Sequence, residues 1–455
     1  MAILNLFGQI DIDVFEGIFL SLSINDQLNL RLTGRSVNQR CMVAWGRVRT
    51  LTLNYGNRDR STIRMVDYII NLKGRPHDFL YQVLNFMTNL TSLVIDYDCN
   101  FVRLSGSDRE YSSKLLLKVL KCCPKICQLT CFGVPITERV VKQLLVKKRL
   151  RKFCFDTVGE GCVCLVRRLL ESCVCLVEVS IPRFSVVSGN YLPDISRVWE
   201  FPKVSGCFKC LNVGGTVQVD LGILLNSPLV SYANRSRDGT MLNFVDRQLS
   251  NLLNFRQLTI LHLPYSDLND TSFIRIVDSL KNLENLDITG CFNLSAVGYR
   301  KLRFIKGLKF LSIGFLPLSY SDLECIDSLE FLGLSRCMLY KIEFLRLILR
   351  LLNLKRVVVF GTISYRVIND KVDSYFENEL SKFVQEFPIL RREIVIYYDD
   401  FLYDYWEKLD LVEGIYLSRI CGFVGGPNWY VQEISYSYWL TLNREVVDIV
   451  KGLHW

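Results

Sequence analysis

The residues that most often carry enzymatic chemistry are scarce in this sequence. Only three histidines occur in 455 residues, at His77, His262 and His454. A Ser-His-Asp triad or a multi-histidine metal site would have to use nearly all of them. The glycine-rich stretch from Gly422 to Gly426 lacks the Lys-Ser/Thr ending that contacts phosphate and magnesium in a phosphate-binding loop. The sequence therefore predicts a protein that is not an enzyme, with no catalytic residues and no cofactor.

Cysteine is the second residue type whose spacing could support chemistry, and the chain contains 17 of them. An odd number in a long chain without an evident export signal predicts reduced thiols rather than a disulfide framework. The closely spaced pairs are Cys162/Cys164, Cys173/Cys175 and Cys207/Cys210. These pairs lack the second Cys-x-x-Cys or the histidine pair that completes a zinc site. We therefore expect the cysteines to act as small core residues and predict no metal site.

Composition and charge narrow the range of partners. Half of the residues are hydrophobic and the mean hydropathy is +0.20, but no run of about 18 uncharged apolar residues occurs. The net charge of +9 is spread over the chain, and its one dense basic run, residues 147–152, favours a solvated turn over a nucleic-acid contact. Asp11 and Asp13 stand where a signal peptide needs its apolar core. We expect a cytoplasmic or nuclear protein that binds neither membrane nor nucleic acid.

The elements that would position any binding residues follow from a recurring six-residue frame, L-x-x-L-x-L, in which Ile, Val, Phe or Cys can replace Leu. The frame begins at Leu90, Ile126, Leu150, Leu176, Phe208, Leu258, Leu283, Leu308, Leu329 and Leu354. From Leu258 onward the starts are 25, 25, 21 and 25 residues apart, within the roughly 20–29 residues of a leucine-rich repeat. A degenerate copy is expected at Leu229, and the polar stretch 105–110 predicts a surface loop.

Each frame predicts a short strand, because its last two apolar residues alternate with other residues. Helical spacing follows between the strands. The clearest examples are Val140, Val141, Leu144 and Leu145, and then Phe273, Ile276, Val277 and Leu280. Each unit leaves an apolar face that only its neighbours can cover. The predicted fold class is therefore α/β, a leucine-rich-repeat solenoid with parallel strands on the concave face and helices on the convex face.

The alternation also selects residues for the concave face. The predicted target-binding residues there are Phe132, His262, Asp287, Phe310, Phe331 and Phe360. This face is mixed in character and has little net charge, which favours a protein target over a polyanion. Aromatic rings anchor protein interfaces, so the rings at 310, 331 and 360 are expected to form one apolar ridge. The alternative that the sequence leaves open is that these rings pack on neighbouring strands.

The hydrophobic period changes ahead of the repeats. Phe15, Ile18, Phe19 and Leu22 fall at i, i+3, i+4 and i+7, which predicts short helices within residues 1–46. A segment of this size buries little core alone, so it needs the repeats or a partner protein. The residue types alone also allow a simple helical cap that closes the first repeat.

Three segments are therefore expected along the chain. A helical module in residues 1–46 precedes a repeat solenoid in residues 47–389. Residues 390–455 are rich in Tyr and Trp and lack the clear frame. This last segment is expected to be either an aromatic cap or a set of divergent final repeats, and it can also serve as a partner-binding end.

The helical module resembles the F-box, whose pattern runs L-P-x-E-I-L-x-x-I-F-x-x-L before an acidic D-L segment. The matching positions are Ile10, Asp13, Val14, Phe15, Ile18, Phe19, Leu22, Asp26, Leu28, Arg31 and Arg35. Asp11 stands where the family has proline, and Val37 stands where it has tryptophan. The repeats are similar to the cysteine-containing leucine-rich repeats of F-box proteins. The cysteines that fit that pattern are Cys122, Cys123 and Cys291.

This resemblance implies a substrate-recognition subunit of a cullin-RING ubiquitin ligase of the SCF type. The F-box would dock a Skp-type adaptor while the repeats hold a protein substrate. The adaptor-binding residues that the resemblance implies are Ile10, Val14, Phe15, Ile18, Phe19, Leu22 and Leu28. The alternative function is a leucine-rich-repeat protein-binding or inhibitor protein with no link to a ubiquitin ligase.

Overall fold

The structure of the chain is a computed structural model, and the chain divides into two compact units, Met1–Ser227 and Pro228–Trp455. The residues that the structure describes are 10–22, 24–55, 61–65, 68–72, 84–97, 106–159, 161–182, 184–187, 199–204, 206–214, 217–235, 246–314, 323, 326–335, 347–348, 350–360, 389–398 and 413–419. The predicted segment boundaries after residues 46 and 389 fall inside these two units.

Three helices open the described part of unit 1. They are α1 (Ile12–Ser21), α2 (Ile24–Leu32) and α3 (Arg35–Arg47). The Asp11 carboxylate accepts a hydrogen bond from the backbone N–H of Asp13 at 2.8 Å, so it caps the start of α1. The residue that departs from the proline of the F-box pattern is therefore an N-cap in this chain.

The strands and helices of the repeats in unit 1 follow. They are β1 (Thr50–Tyr55), β2 (Ser61–Met65), β3 (Tyr68–Leu72), β4 (Ser92–Tyr97), α4 (Gly106–Cys122), β5 (Gln128–Phe132), α5 (Glu138–Lys147), β6 (Lys152–Phe155), β7 (Thr157–Gly159), α6 (Val163–Ser172), β8 (Glu178–Ile181), β9 (Ser185–Val187), β10 (Trp199–Glu200), β11 (Cys210–Gly214) and β12 (Val217–Gln218). Short 3₁₀ turns lie at Leu84–Phe86 and Leu221–Leu224.

The main sheet of unit 1 has the strand order β3-β2-β1-β4-β5-β6-β8-β11. The strands β1, β4, β5, β6, β8 and β11 run parallel to their neighbours in this order, as repeats with one strand each require. The antiparallel strands β2 and β3 continue the sheet beyond β1. Two further two-stranded pairs, β7 with β9 and β10 with β12, lie outside this sheet.

Unit 2 repeats the same plan. Its elements are β13 (Ser231–Arg235), α7 (Asp246–Leu252), β14 (Ile260–His262), α8 (Asp270–Ser279), β15 (Asn285–Asp287), α9 (Ala296–Tyr299), a 3₁₀ turn at Arg300–Phe304, β16 (Phe310–Gly314), β17 (Phe331–Ser335), β18 (Arg356–Phe360), β19 (Ile389–Tyr398) and β20 (Glu413–Arg419). The strands from β13 to β20 pair in sequence order, and every pair is parallel. Parallel strands β19 and β20 fall mostly in the segment that was expected to be a cap or divergent repeats.

Successive repeats within each unit are joined by one recurring hydrogen-bond pattern. A carbonyl just before one strand accepts two consecutive backbone N–H groups at the start of the next strand. The Arg151 carbonyl, for example, accepts from Val177 at 2.8 Å and from Glu178 at 3.0 Å. The carbonyls that do so are those of Arg49, Thr91, Cys127, Arg151 and Val177 in unit 1 and Val230, Thr259, Glu284, Lys309 and Glu330 in unit 2. This pattern keeps the repeat starts in register.

The core confirms the predicted frames. Every frame residue whose side chain is described is buried, from Leu90 in the first predicted repeat to Val357 in the last. The helices supply the other side of this core through residues such as Val140, Phe273 and Ile276. The α/β leucine-rich-repeat fold class is therefore confirmed by strand order, register and burial together.

Three local features refine this picture. Val48, Leu51 and Leu53 are fully buried and form a repeat ahead of the first predicted one, with β1 as its strand. The degenerate repeat at Leu229 is present as strand β13, and Leu229 is buried. The predicted surface loop is wrong for residues 106–110, because helix α4 begins at Gly106. Among the described residues, the helices are too short or too polar to span a membrane.

Candidate functional site

The helical module has a core of its own. The Phe19 ring lies 5.7 Å from the Phe15 ring and 5.2 Å from the Trp45 ring, measured between centroids. The Trp45 ring stacks at 5.6 Å on Phe86, which belongs to the turn before β4. The Trp45 indole N–H donates to the side chain of buried Gln27 at 3.1 Å. The module is thereby attached to the first repeats through buried aromatic contacts.

A second apolar stripe of α1 is exposed to solvent. Val14 is 55% exposed and Ile18 is 40% exposed. Their spacing of four residues places them on one face of the helix, beside the face that carries buried Phe15 and Phe19. We name Val14 and Ile18 the exposed α1 stripe. Leu32 and Val43, on the other two helices, are also exposed apolar residues.

Charged side chains hold α1 against α3. The Arg47 guanidinium lies 2.5 Å from the Asp13 carboxylate and 3.1 Å from that of Glu16. These carboxylates raise the pKa of Arg47 by hydrogen bonding, so the guanidinium stays charged. The Arg40 guanidinium donates to the Ile10 carbonyl at 2.5 Å. Exposed ion pairs contribute little stability each, but together these contacts set the orientation of α1.

The seven predicted adaptor-binding residues fall into different environments. Phe15 and Phe19 lie in the module core, because the Phe19 ring packs against Trp45 and the Phe15 ring stacks on Phe19. Ile10 and Leu22 are half-buried at the two ends of α1, and Val14 and Ile18 are exposed. Leu28 lies in α2, but its side chain is outside the described part of the structure. The accessible members of the set are therefore centred on the exposed α1 stripe.

In each unit, the predicted concave-face residues lie on what we name the second face of that unit's main sheet, formed by strand residues that alternate with core residues. In unit 2, Phe310 and Phe331 are register partners on adjacent strands. Their rings stack with centroids 4.4 Å apart, and the His262 ring lies 6.2 Å from Phe310. Phe310 is only 7% exposed and Phe331 9%. The rings are thus aligned as the ridge hypothesis requires, yet they are largely buried, as the packing alternative requires.

The other predicted target-binding residues are placed as follows. Asp287 is 4% exposed and its carboxylate accepts the Thr289 backbone N–H at 3.1 Å, so it stabilises the turn after β15. The Thr289 hydroxyl in turn contacts the Ser312 hydroxyl at 2.9 Å. Phe132 and His262 are half-buried on their strands. Phe360 lies in β18, but its side chain is outside the described residues.

The second face of unit 1 gathers polar and thiol side chains. The Lys152 ammonium lies 2.6 Å from the Glu178 carboxylate on the neighbouring strand. Burial raises the pKa of Cys154 to about 12 and that of Cys210 to about 11. Both thiols are therefore protonated at neutral pH and are poor nucleophiles. Among the described residues, no group of three or more His, Cys, Asp or Glu side chains is arranged to hold a metal ion.

Two cations of the basic run at residues 147–152 have partners within the repeats. The Lys147 ammonium donates to the carbonyl oxygens of Leu120 and Cys123 at the end of α4, the second at 2.9 Å. Lys152 pairs with Glu178 on the next strand. Lys147 therefore caps the end of a helix, and Lys152 forms an ion pair between strands. The number of charges in the run could not predict either contact.

The strand order, the recurring frame and the buried apolar positions define the chain as a leucine-rich-repeat protein. No protein-family model matches the sequence, and no curated protein matches it. Among solved structures, the crystal structure of the Rad7 and Elc1 complex in yeast covers 82% of this chain and 92% of its own, at 14% identity and a TM-score of 0.40. A leucine-rich-repeat protein of Leptospira interrogans covers 66% and 73%, at 15% identity and a TM-score of 0.36. The fold assignment therefore rests on the strand order and strand register of this chain and not on these similar structures.

Proposed function

We propose that the chain is the substrate-recognition subunit of a cullin-RING ubiquitin ligase of the SCF type, active in the cytoplasm or nucleus. The helical module docks a Skp-type adaptor, and the repeats bind a protein substrate. In this role the chain is an assembly subunit and not itself a catalyst. The F-box resemblance of residues 10–35 is the starting point of the proposal.

The observation that carries the proposal is the exposed α1 stripe. The core-facing side of α1 already supplies Phe15, Phe19 and Leu20, all of which are buried. A simple cap on a repeat stack has no use for a second apolar face, since solvent exposure of Val14 and Ile18 costs hydrophobic free energy. A partner protein that covers this stripe would recover about 1 kcal/mol or more for each side chain.

The attachment of the module to the repeats also fits the proposal. A ligase receptor has to hold its adaptor at a fixed position relative to the protein it presents. In unit 1, the stacking of Trp45 on Phe86 and the hydrogen bond from the Asn89 amide to the Gly46 carbonyl at 2.7 Å join α3 to the turn before β4. The docking surface on α1 is therefore connected to the repeats by buried contacts and not by a flexible linker.

For the substrate, we propose the second face of the main sheet, taken in each unit by itself. The predicted contact that keeps accessible surface there is Phe132 in unit 1 and His262 in unit 2. Asp287, Phe310 and Phe331 support the face from within, since all three are largely buried. Strand faces of this kind present side chains at regular spacing, which suits an extended protein segment.

The test is a binding measurement with the full chain and a purified Skp-type adaptor. The double variant Val14→Asp/Ile18→Asp is expected to weaken binding by at least about 100-fold, since two buried aliphatic contacts are replaced by desolvated carboxylates. Val146→Asp is the matched control, because Val146 is an exposed helical valine outside the module. It is expected to keep wild-type affinity.

The melting temperature must stay close to that of the wild type in both variants, so that lost binding reports on the surface. Unchanged affinity in the double variant would show that the exposed α1 stripe is not the docking surface. Failure of the wild-type chain to bind the adaptor at micromolar concentration would overturn the ligase proposal. A leucine-rich-repeat binding or inhibitor protein would then be the function to test.

A further inference from the structure

Two exposed thiols lie in neighbouring turns of unit 1. The described part of the chain contains 13 cysteines, and none of these 13 forms a disulfide. Ten are buried or half-buried, and three are exposed: Cys164, Cys175 and Cys207. Cys164 lies within helix α6, whereas Cys175 and Cys207 each lie in the turn that precedes a strand of the main sheet. These two turns belong to adjacent repeats.

Cys175 and Cys207 occupy the same position of the repeat. Each directly precedes the first apolar residue of its frame, Leu176 and Phe208, and both of those residues are fully buried. The strands that follow are parallel neighbours, with Glu178 paired to Cys210. Each exposed cysteine therefore lies three residues before a paired strand residue, so the two turns lead into adjacent strands at the same register.

Hydrogen bonds hold this stacking in place. The Val177 carbonyl accepts from the N–H groups of Lys209 at 2.8 Å and of Cys210 at 3.0 Å. Neighbouring strands lie about 4.8 Å apart. This spacing falls within the range of roughly 4.4–6.8 Å between the Cα atoms of two cysteines that can form a disulfide.

Side chains at this repeat position do reach across to the next repeat in this fold. Asn89 and Lys125 occupy the same position as the two cysteines, directly before Leu90 and Ile126. The Lys125 ammonium donates to the Asn89 side-chain oxygen at 2.6 Å. The position therefore directs side chains along the stack, toward the equivalent residue of the neighbouring repeat.

We propose that Cys175 and Cys207 form a vicinal dithiol site that a peroxide converts to a disulfide. One thiolate attacks the peroxide, so that a sulfur–oxygen bond forms, the oxygen–oxygen bond breaks, and the departing hydroxide takes up a proton from the solvent to become water. The second thiolate attacks the sulfur of the resulting sulfenic acid, so that the sulfur–sulfur bond forms, the sulfur–oxygen bond breaks, and the departing hydroxide takes up a proton to become a second water. The two sulfur atoms lose two electrons in total, and the hydrogen peroxide gains them.

The buried cysteines do not compete in this reaction. Burial raises the pKa of Cys123 and Cys291 to about 12 in each case, so these thiols are protonated. They are also out of reach of a dissolved oxidant, because their side chains are fully buried. Among the described cysteines, the fully buried thiols are therefore excluded from the reaction. Of the exposed ones, Cys164 has no cysteine at the equivalent position of a neighbouring described helix.

The experiment treats the full chain with hydrogen peroxide at low protein concentration and then blocks remaining thiols with N-ethylmaleimide. Mass spectrometry without reductant is expected to find tryptic peptides 169–183 and 204–209 joined, with a loss of about 2 Da that dithiothreitol reverses. Cys175→Ser and Cys207→Ser must each abolish the cross-link. Cys164→Ser is the matched control, and it must leave the cross-link intact.

A second probe tests the same pair without oxidation. Phenylarsine oxide is a trivalent arsenical that bridges two nearby thiols, and it is expected to block Cys175 and Cys207 together in the wild type. In each serine variant, the one remaining thiol of the pair is expected to bind it only weakly. Oxidation of Cys175 and Cys207 to separate sulfinic acids, or cross-linking only between two molecules, would overturn the proposal. A cross-link that persists in Cys207→Ser would do so as well.

Discussion

The rings of Phe310 and Phe331 stack with centroids 4.4 Å apart and planes inclined by 11°. The two residues are register partners on adjacent parallel strands, so the strand spacing itself sets the stacking distance. Because the rings cover one another, each retains less than a tenth of its exposed surface. An aromatic pair on the second face of the sheet therefore contributes to the stability of unit 2.

This pair predicts coupled losses of stability. Phe310→Ala and Phe331→Ala should each lower the free energy of unfolding by about 3 kcal/mol, since each removes a nearly buried ring. The double variant should lose about 0.5–1.5 kcal/mol less than the sum, because the stacking is lost only once. Denaturant unfolding of all four proteins measures both quantities. Strict additivity would show that the rings do not stabilise one another.

Phe304→Ala is the control for this series, because the Phe304 ring is exposed and lies in the same unit. Its free energy of unfolding should change by less than about 1 kcal/mol. If both core variants melt like the wild type and instead lose substrate binding, the rings serve as a binding ridge and not as packing residues.

Gly290 cannot be replaced without strain. Its φ is +72°, and a Cβ atom there would lie 2.5 Å from the Tyr265 ring. Gly290→Ala should therefore lower the free energy of unfolding by about 2–4 kcal/mol, from left-handed strain and overpacking together. Gly307→Ala is the matched control, because its nearest neighbour, the Leu283 carbonyl, would be 3.9 Å away. Equal melting temperatures for the two variants would contradict the steric argument.

Asp270 joins two repeats by capping a helix that is not its own. Its carboxylate accepts the backbone N–H groups of Ser295 at 2.8 Å and Gly298 at 3.2 Å, at the start of α9. Asp270→Ala should cost about 1–2 kcal/mol of unfolding free energy. Asp278→Ala, at an exposed aspartate of the same helix α8, should cost less than about 0.5 kcal/mol. Thermal melting compares the stability of the two variants. Equal losses would show that Asp270 does not cap α9.

Buried thiols predict a loss of stability in alkaline solution. Burial raises the pKa of Cys154 and Cys291 to about 12, above the value near 9.0 of an exposed thiol. The unfolded chain therefore releases these protons first, and stability that is complete below pH 9 falls as the pH rises toward 12. Each such thiol should cost about 1 kcal/mol between pH 8 and pH 10.

Urea unfolding at both pH values measures this slope. Cys291→Ala should make the loss of unfolding free energy between the two pH values smaller by the contribution of one thiol, about 1 kcal/mol. Leu294→Ala, which removes a buried side chain of the same turn but no thiol, should leave the slope unchanged. A Cys291→Ala slope equal to that of the wild type would contradict the assignment.

The local sequence pattern was sufficient to predict the strands where buried residues recur at a fixed period. The frames from Leu90 to Leu354 predicted the strands that bear them, because each strand needs its apolar residues at the same two positions. The repeat at Val48 was missed although Val48, Leu51 and Leu53 fit the frame, because its first residue directly follows a helix with a different period. The Asp270 cap had no sequence signal at all, since its partners are about 25 residues away.

The sequence by itself determined the repeat, the parallel strands and the helical module, because periodic apolar residues can be buried in only one way when each unit covers the next. Tertiary structure decided which apolar residues remain accessible. Phe19 and Ile18 are neighbours on one predicted stripe, yet packing against Trp45 buries the first and leaves the second 40% exposed. Likewise, only the register of adjacent strands shows that Phe310 stacks on Phe331 and that the turns with Cys175 and Cys207 lead into paired strands, since contacts between repeats depend on distances that no local pattern contains.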